Sequence, residues 1–305
     1  MKIGIPRALL YYRYGIFWET FFQELGHETV ISPRTNKDIL TKGEQLSIDE
    51  NCLSTKLFFG HVATLEGKCD YCFVPRIANL GDAGRFCSRF EALPDMCKNM
   101  FRNADLRILR ANIDPEQHVS AKRAYLKLGM QLGASREKAL AAYEAGMAAQ
   151  MESFRKKAEI NHTLLKKEGI KVLVASHPYN LYDEYIGAPI IKSIRNLDAV
   201  PICSDGIDPR EARRKAADIA KHVPWVVSRE LLGAIQTYRD KIDGIVLITA
   251  FPCGPDSMVN EMIIRRISHV PILNLLLDSQ DGNAGIDTRL ESFIDIIRFR
   301  KEVEL

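Results

Sequence analysis

Three cysteines occupy positions from which they could bind a metal cofactor. Cys52 lies at the start of a predicted helix, and Cys87 and Cys253 lie in turns, each after a predicted buried strand and before a predicted helix. Soft thiolate ligands suit the iron of iron–sulfur clusters. We therefore interpret the three cysteines as ligands of an iron–sulfur cluster, with 4Fe-4S as the leading form. Three protein ligands would leave one iron with an exchangeable position for a substrate oxygen.

The spacing of these cysteines matches none of the compact ferredoxin-type runs, so the support comes from their local context. Cys253 lies between Pro252 and Gly254, a backbone that lets a bulky ligand approach closely. A helix start favours the thiolate form of Cys52. The competing interpretation is that each cysteine is a small buried side chain with a structural role.

The remaining cysteines offer weaker candidates. Cys69 and Cys72 form a C-x-x-C pair, which is typical of zinc or redox sites. Within an apparent strand, however, residues three apart point to opposite faces, and no second C-x-x-C or H-x-x-H follows. We favour buried structural roles for this pair and keep a thiol or zinc protein as a weaker hypothesis that zinc content would test. Cys97 is assigned to core or surface, and Cys203 at a strand end is the reserve fourth ligand.

Three further side chains are candidates for catalytic roles beside the cluster. Lys56 follows Cys52 by one helical turn, lies on the same face, and could offset the charge of a cluster or substrate. His61 is on the same predicted helix, and His177 closes a predicted strand. Either histidine could be a proton donor or ligand. The competing interpretations are a solvated surface lysine and two structural, hydrogen-bonded histidines.

Three charged residues near the C-terminus have two alternative interpretations. Asp278 ends the last predicted strand, and Arg289 and Glu291 open the final predicted helix. They fit either a salt-bridge network or a substrate contact. The sequence has no G-x-x-x-x-G-K-[ST] loop, no G-x-G-x-x-G after a strand and no G-x-S-x-G elbow, so we do not expect ATP or NAD use by this chain alone.

The bulk composition narrows the class of protein. The chain has 305 residues, of which 46% are hydrophobic, and 42 basic against 39 acidic residues leave a net charge of +3. This charge is too weak and too evenly spread for nucleic-acid binding. No segment approaches the roughly 20 apolar residues of a membrane span, and the first residues read as a strand instead of a signal peptide. We predict a cytoplasmic protein, with no nucleic-acid or membrane partner.

Strands that alternate with helices predict an α/β fold. We expect two Rossmann-like parallel-sheet domains with a cleft between them: residues 1–113 carrying Cys52 and Cys87, a helical connector over 114–169, and residues 170–305 carrying Cys253. Ligands are expected at the carboxyl ends of the strands. The final helix is predicted to begin at Asp287 or Thr288, with Thr288 and Glu291 as a capping box. The predicted strands are Lys2–Pro6, Glu28–Ser32, Cys69–Ile77, Leu106–Ile113, Ile170–Ser176, Val200–Cys203, Gly244–Thr249 and Ile272–Leu277.

At these residues the chain resembles a known family over nearly its whole length. It is similar to the domain of unknown function that accompanies acyl-CoA dehydratase activases, a relative of the 2-hydroxyacyl-CoA dehydratase subunits. The strings that carry the resemblance are Gly4-Ile5-Pro6-Arg7-Ala8, the helix from Phe17-Trp18 to Leu25-Gly26, Glu50 with Cys52 and Lys56, Gly60-His61, Pro75-Arg76, Phe86-Cys87, Pro94-Asp95, Pro178-Tyr179, Cys253-Gly254-Pro255-Asp256 and Thr288-Arg289-Leu290-Glu291 with Phe293.

The resemblance implies Rossmann-like lobes around an iron–sulfur cluster held by Cys52, Cys87 and Cys253. In the dehydratase relatives, a separate ATP-hydrolysing activator supplies one electron at low potential, and the substrate thioester loses its hydroxyl by a radical route. Some relatives carry a double-cubane cluster and reduce small molecules. The implied partners are an ATP-dependent activase as electron donor and an acyl-CoA or other small-molecule substrate. A homo- or heterodimer is left open.

The chain departs from the family pattern near the proposed ligands. Ser54 and Ser88 stand where prolines commonly follow the cysteines, and Ser176 replaces an arginine-like position before His177. These changes keep the thiolates but leave the substrate undefined. The alternative from another class is a binding or scaffold subunit that partners an activase without redox turnover.

Overall fold

The computed structural model describes residues 1–279 and 283–303, and the side chains of the same residues except 283 and 284. The chain divides into two compact units. Unit 1 contains Met1–Ser153 and Pro224–Val226, and unit 2 contains Phe154–Val223 and Val227–Leu305. Residues 280–282 and 304–305 of the predicted C-terminal domain lie outside the described residues.

Unit 1 contains a four-stranded sheet in which every pair of neighbours is parallel, in the order β2-β1-β3-β5. Strands β4 and β6 form a separate parallel pair. The strands are β1 (Lys2–Ile5), β2 (Glu28–Ile31), β3 (Tyr71–Phe73), β4 (Arg76–Ile77), β5 (Ile108–Leu109) and β6 (Asn112–Ile113).

Two strands predicted as continuous are each split in two, so that part of the prediction was wrong. The predicted strand Cys69–Ile77 became β3 and β4, and Leu106–Ile113 became β5 and β6. Pro75 lies in the first gap and has no backbone N–H to continue a sheet ladder. The interruption lets the chain leave the main sheet at the carboxyl end of β3.

The core of unit 1 is aromatic. Phe73 packs edge-on against Trp18 and Phe22, with ring centroids 5.3 and 5.0 Å apart. The indole Nε1 of Trp18 donates a 2.8 Å hydrogen bond to the buried hydroxyl of Tyr125, which satisfies both polar groups. The helices of the first half are α1 (Tyr11–Glu24), α2 (Lys37–Leu46), α3 (Leu53–Ala63), α4 (Ser88–Met100), α5 (Ala121–Gln131) and α6 (Arg136–Leu165).

Unit 2 has a second all-parallel sheet, in the order β10-β9-β7-β8. The prediction of an α/β fold with two parallel sheets is therefore confirmed. The strands are β7 (Ile170–Ala175), β8 (Ala199–Cys203), β9 (Gly244–Ala250) and β10 (Ile272–Leu277), and the helices are α7 (Pro178–Leu181), α8 (Gly187–Asn196), α9 (Pro209–Lys215), α10 (Val226–Tyr238), α11 (Gly254–Arg266) and α12 (Asn283–Val303).

The beginning of α12 differs from the prediction. The helix begins at Asn283, so Thr288 and Glu291 lie inside it and the predicted capping box was wrong. Helix α8 was not predicted, because Gly187 and Pro189 near its start resemble loop residues. In the described part of the chain, no helix is both long and apolar enough to cross a membrane.

Candidate functional site

The three predicted cluster ligands share one local geometry. Cys52, Cys87 and Cys253 are the N-cap residues of α3, α4 and α11, and each has an extended backbone with φ/ψ of −64°/152°, −66°/155° and −84°/105°. None of their side chains makes a capping hydrogen bond to its helix. All three are of intermediate burial, and none of them is in a disulfide. Each thiol therefore lies at the positive end of a helix dipole, where a thiolate or another anion is favoured.

In unit 1, the helices α3 and α4, whose N-cap residues are Cys52 and Cys87, lie beside the carboxyl edge of the sheet. After β1 the chain forms β2 on one side of it, and β3 then pairs with β1 on the other side. The gap between β1 and β3 is therefore the topological switch point of this sheet. Pro6 and Pro75, which follow these two strands, line one small cavity together with Phe58 of α3 and Phe90 of α4. The helices that begin after Cys52 and Cys87 therefore pack around this switch point.

The backbone just before Cys87 is hydrogen-bonded to residues 224–226, which lie far along the chain. The backbone N–H of Arg85 donates to the carbonyl of Pro224, and the N–H of Val226 donates to the carbonyl of Arg85, both at 2.8 Å. Gly84 has φ +114°, and a Cβ there would lie 2.6 Å from the Pro224 carbonyl oxygen. Only glycine suits this position. Sequence reasoning missed this pairing, because nothing local links residues so far apart.

In unit 2, Cys253 and His177 follow neighbouring strands. His177 comes after β7 and Cys253 after β9, and β7 lies between β8 and β9 in the sheet. After β7 the chain forms β8 on one side of it, and β9, which comes later in the sequence, pairs with β7 on the other side. This is the switch point of the second sheet, where ligands of open α/β sheets bind.

His177 forms a buried pair with Asp256, a residue that sequence reasoning did not single out. The distance from His177 Nε2 to Asp256 Oδ1 is 2.5 Å, and each side chain is 10% exposed. His177 Nδ1 and Asp256 Oδ2 are buried without a hydrogen-bond partner. The ring of Tyr179 stacks on the imidazole with centroids 4.9 Å apart. The only signal for Asp256 in the sequence was its place in the Cys253-Gly254-Pro255-Asp256 string.

His61 is enclosed within unit 1 and makes two side-chain hydrogen bonds. Its Nδ1 lies 2.8 Å from Ser32 Oγ and its Nε2 lies 2.9 Å from Thr35 Oγ1. Burial, and secondarily the nearby Arg7 guanidinium, lower the pKa of His61 to about 3. The imidazole is therefore neutral at physiological pH, and it joins α3 to the segment after β2.

Lys56 is buried although it is charged. The residue as a whole is only 9% exposed, but its Nζ is not among the side-chain atoms that are fully buried without a partner, so the ammonium keeps contact with solvent. One turn earlier, Cys52 Sγ lies 3.1 Å from Thr55 Oγ1. Helix α2 packs closely against the backbone of Lys56. A Cβ on Gly43 would lie only 2.0 Å from the Lys56 carbonyl oxygen.

The other four cysteines differ from the three N-cap cysteines. Burial raises the pKa of Cys69, of Cys72 and of Cys97, and raises that of Cys203 to about 12. These thiols remain protonated at neutral pH. Cys69 precedes β3 instead of lying within a strand as predicted.

The charged residues near the C-terminus make separate contacts. Arg289 donates a 2.6 Å hydrogen bond to the backbone carbonyl of Asn274. Asp278 accepts a 2.7 Å hydrogen bond from the backbone N–H of Ser279. Glu291 lines a surface cavity beside α8.

An iron–sulfur cluster needs thiolate ligands that lie close together. Cys52 and Cys87 belong to unit 1 and Cys253 to unit 2. Within residues 1–279 and 283–303, no group of three or more His, Cys, Asp and Glu side chains is close enough together to hold a metal ion. The three thiols, which are outside disulfides and located at helix N-termini, nevertheless fit an anionic iron–sulfur cluster.

The solved structures that are similar to the chain at low sequence identity include the following two. The crystal structure of ZnuA has 14% identity, covers 98% of both chains and gives a TM-score of 0.27. The structure of the SBP FpvC from Pseudomonas aeruginosa in complex with Mn2+ has 12% identity, covers 99% of both chains and gives a TM-score of 0.29. These TM-scores are too low to support an argument about fold or ligand.

No curated protein matches the chain significantly. A family model described as the CoA enzyme activase uncharacterised domain (DUF2229) matches residues 2–207. The match includes Cys52, Cys87 and His177 and confirms the resemblance for the sequence strings up to Pro178-Tyr179, whereas the strings at Cys253 and Thr288 lie outside the matched residues. The chain therefore belongs to the family of the CoA enzyme activase uncharacterised domain.

Proposed function

We propose that this chain is an iron–sulfur protein that accepts low-potential electrons from a separate ATP-dependent activase, for reductive or radical chemistry on an acyl-CoA or other small molecule. The proposal rests on a structural difference between three of the cysteines and the other four. Cys52, Cys87 and Cys253 are each the N-cap residue of a helix and none of them is in a disulfide, whereas burial raises the pKa of the other four thiols. Family membership supports the association with an activase.

In this proposal the three thiolates hold the cluster, which supplies the site for electron transfer. The backbone N–H groups at the starts of α3, α4 and α11 favour negative charge there. Lys56 adds a positive charge beside Cys52. A partly exposed iron–sulfur site of this kind is sensitive to oxygen, so the protein is expected to act under anaerobic conditions.

We assign proton handling to His177. When its Nε2–H donates to Asp256 Oδ1, Nδ1 is the ring nitrogen left without a partner, so a proton would move through that atom once a substrate reaches the buried ring. His61 was a catalytic candidate from the sequence, and we propose a positioning role for it. Both of its ring nitrogens already have hydrogen-bond partners.

Iron and acid-labile sulfide analysis of protein prepared without oxygen tests the proposal. About four irons per chain would support one cubane, and about eight would indicate a double-cubane cluster. Replacing Cys52, Cys87 or Cys253 with serine should lower the iron content, whereas Cys69→Ser is a matched control because Cys69 is also of intermediate burial. Full iron occupancy in each of the three single variants would contradict the assignment.

The second candidate function is a non-catalytic binding or scaffold subunit that partners an activase. It rests on the family match, whose description links the domain to CoA enzyme activases. This alternative predicts protein without iron or brown colour even after anaerobic reconstitution. It also predicts that serine at the three cysteines leaves binding to the activase unchanged.

A further inference from the structure

Helix α7 is a single turn that joins His177 to a second cluster of polar side chains. His177 is the N-cap residue of this helix and Tyr182 is its C-cap residue. The N–H groups of Asn180 and Leu181 both donate to the His177 carbonyl, at 2.9 and 3.0 Å. The N–H of Tyr182 donates to the Pro178 carbonyl at 3.1 Å. Because these bonds close the turn, a shift of Tyr182 is transmitted to His177.

Tyr182 is held by two charged side chains. Its hydroxyl donates a 2.6 Å hydrogen bond to Asp205 Oδ1, and Lys157 Nζ donates a 2.6 Å hydrogen bond to Asp205 Oδ2. The same ammonium lies 4.5 Å from the centroid of the Tyr182 ring, which makes a cation–π contact. The side chains of Lys157 and Asp205 are only 24% and 13% exposed. Water therefore competes little with these charge-assisted bonds.

These three residues, which we call the Tyr182 cluster, come from three segments of unit 2. Lys157 belongs to α6, and Asp205 follows β8, the strand that pairs with β7 before His177. Asn161, which is four residues after Lys157 on α6, fixes the same loop after β8. Its side chain donates to the Cys203 carbonyl and accepts from the Cys203 N–H. The acceptor of the Tyr182 hydroxyl is therefore itself held in place.

We propose that the Tyr182 cluster is a positioning device for His177. Asp256 holds the imidazole from the helix that follows β9, and the Tyr182 cluster holds the other end of α7 from the loop that follows β8. The orientation of the ring, and with it the direction of its unpaired Nδ1, then depends on Tyr182. The inference rests on the proposed function only where it treats His177 as the proton-handling residue.

A purely stabilising role is the weaker explanation of this cluster. A shielded ion pair adds little net stability, because removing both charges from water costs about as much free energy as their attraction returns. Apolar side chains of similar volume would pack the end of α7 about as well. The cluster instead restricts Tyr182 to one orientation, since its hydroxyl must reach Asp205 while its ring contacts Lys157.

The metal-free full-length protein tests the inference, with diethylpyrocarbonate as the probe. This reagent acylates an imidazole nitrogen. In His177, Nδ1 is buried and Nε2 is bonded to Asp256, so the ring reacts only when α7 opens locally. In Tyr182→Phe we expect the reaction rate at His177 to rise about five-fold, because opening no longer breaks the hydrogen bond to Asp205. Peptide mass spectrometry over time measures this rate.

Lysine variants test the charged member of the cluster. Lys157→Met removes the ammonium that holds Asp205 and contacts the Tyr182 ring, so it should also raise the rate at His177. Lys157→Arg keeps the positive charge and should retain the rate of the wild type. This rescue by a conservative change separates the charge of the side chain from its bulk.

Tyr238→Phe is the matched control for a purely structural role. Tyr238 is also a buried tyrosine of unit 2, and its hydroxyl is bonded to Gly206 and Asn161 instead of to Asp205. Its loss should lower the stability in urea but leave the rate at His177 unchanged. The ¹⁵N signals of the His177 ring give a spectroscopic check, because they should shift or broaden in Tyr182→Phe and stay as in the wild type in Tyr238→Phe.

Equal rates at His177 in Tyr182→Phe and Tyr238→Phe, or an unchanged rate in Tyr182→Phe, would overturn the positioning role. No step of the measurement needs iron, so a protein that never binds iron would overturn the proposed cluster and leave this result intact. An unchanged rate at His177 in a protein that does load with iron would leave the cluster ligands standing and remove only the positioning role.

Discussion

The imidazole of His177 and the carboxylate of Asp256 are joined by a 2.5 Å contact between Nε2 and Oδ1. His177 follows β7 and Asp256 lies in the first turn of α11, which follows β9. Because β7 and β9 are adjacent parallel strands, their carboxyl ends bring these residues to one edge of the sheet. The contact connects the proposed proton-handling residue to the helix that begins after Cys253.

Removing the carboxylate of Asp256 should destabilise unit 2. In Asp256→Ala the buried Nε2–H of His177 loses its acceptor, which should lower the free energy of unfolding by about 1–3 kcal/mol. The double variant His177→Ala/Asp256→Ala should cost less than the sum of the two single changes, because neither partner is left unpaired. Urea unfolding of the four proteins measures both quantities.

A surface ion pair on the same helix provides the control. Glu261 and Arg265 are four residues apart on α11 and both are exposed. The change Glu261→Ala should cost less than about 0.5 kcal/mol. In ¹⁵N NMR spectra of the histidine rings, His177 should carry its proton on Nε2 in the wild type and redistribute it in Asp256→Ala. An unchanged tautomer would contradict the positioning role of Asp256.

His61 should make the stability depend on pH in a defined window. The pKa of His61 is lowered from 6.5 to about 3 by burial. Between these values the unfolded chain binds a proton that the folded chain does not, so the free energy of unfolding falls as the pH is lowered through this range. The expected loss is about 1.4 kcal/mol per pH unit. Above pH 6.5 His61 contributes no pH dependence.

Comparison with His61→Gln isolates this contribution. The variant is expected to be less stable at neutral pH, but the difference from wild type should shrink by about 2 kcal/mol between pH 7 and pH 5. His162→Gln is the control, because His162 is exposed on α6. Parallel stability curves for wild type and His61→Gln would contradict a depressed pKa.

The close approach of α2 to α3 should be sensitive to a single methyl group. A Cβ on Gly43 would lie 2.0 Å from the Lys56 carbonyl oxygen, and a Cβ on Gly60 would lie 2.0 Å from the Ile39 carbonyl oxygen. Gly43→Ala should therefore force the helices apart and cost about 1–3 kcal/mol. Gly285→Ala is the control, because a Cβ there meets nothing within 4 Å. Equal stability of the two alanine variants would contradict this packing.

Sequence patterns predicted the features that depend on a single helix or strand. Strand β10 has the bounds predicted from its apolar run, Ile272–Leu277, and the helix after Cys52 was predicted from its apolar spacing and begins at Leu53. The predicted positions of Cys52, Cys87 and Cys253 beside helix starts were also confirmed.

The details that depend on distant residues were not predictable. The partner of His177 is 79 residues away, and the serine and threonine beside His61 lie 29 and 26 residues before it. The close packing of α2 against the backbone of α3 at Lys56 is visible only in three dimensions. Local patterns specify helices and strands, whereas tertiary packing decides which polar side chains become paired or remain unpaired.

The cysteines should separate into two classes of reactivity in the metal-free protein. The thiolate is the nucleophile in alkylation, so a raised pKa slows the reaction. We expect iodoacetamide at neutral pH to label the N-cap cysteines Cys52, Cys87 and Cys253 before the buried Cys72 and Cys97, both 0% exposed. Peptide mass spectrometry over time measures each rate.

Loading with iron and sulfide then distinguishes ligands from cysteines that are merely accessible. Bound thiolates are not available for alkylation, so the labelling of Cys52, Cys87 and Cys253 should slow together, whereas that of Cys69 should not change. Protection of Cys52 and Cys87 without Cys253 would restrict the ligands to unit 1. Labelling of Cys72 or Cys97 as fast as Cys52 in the metal-free protein would contradict the burial on which the division rests. The two stages thus test the accessibility of the thiols separately from their role as ligands.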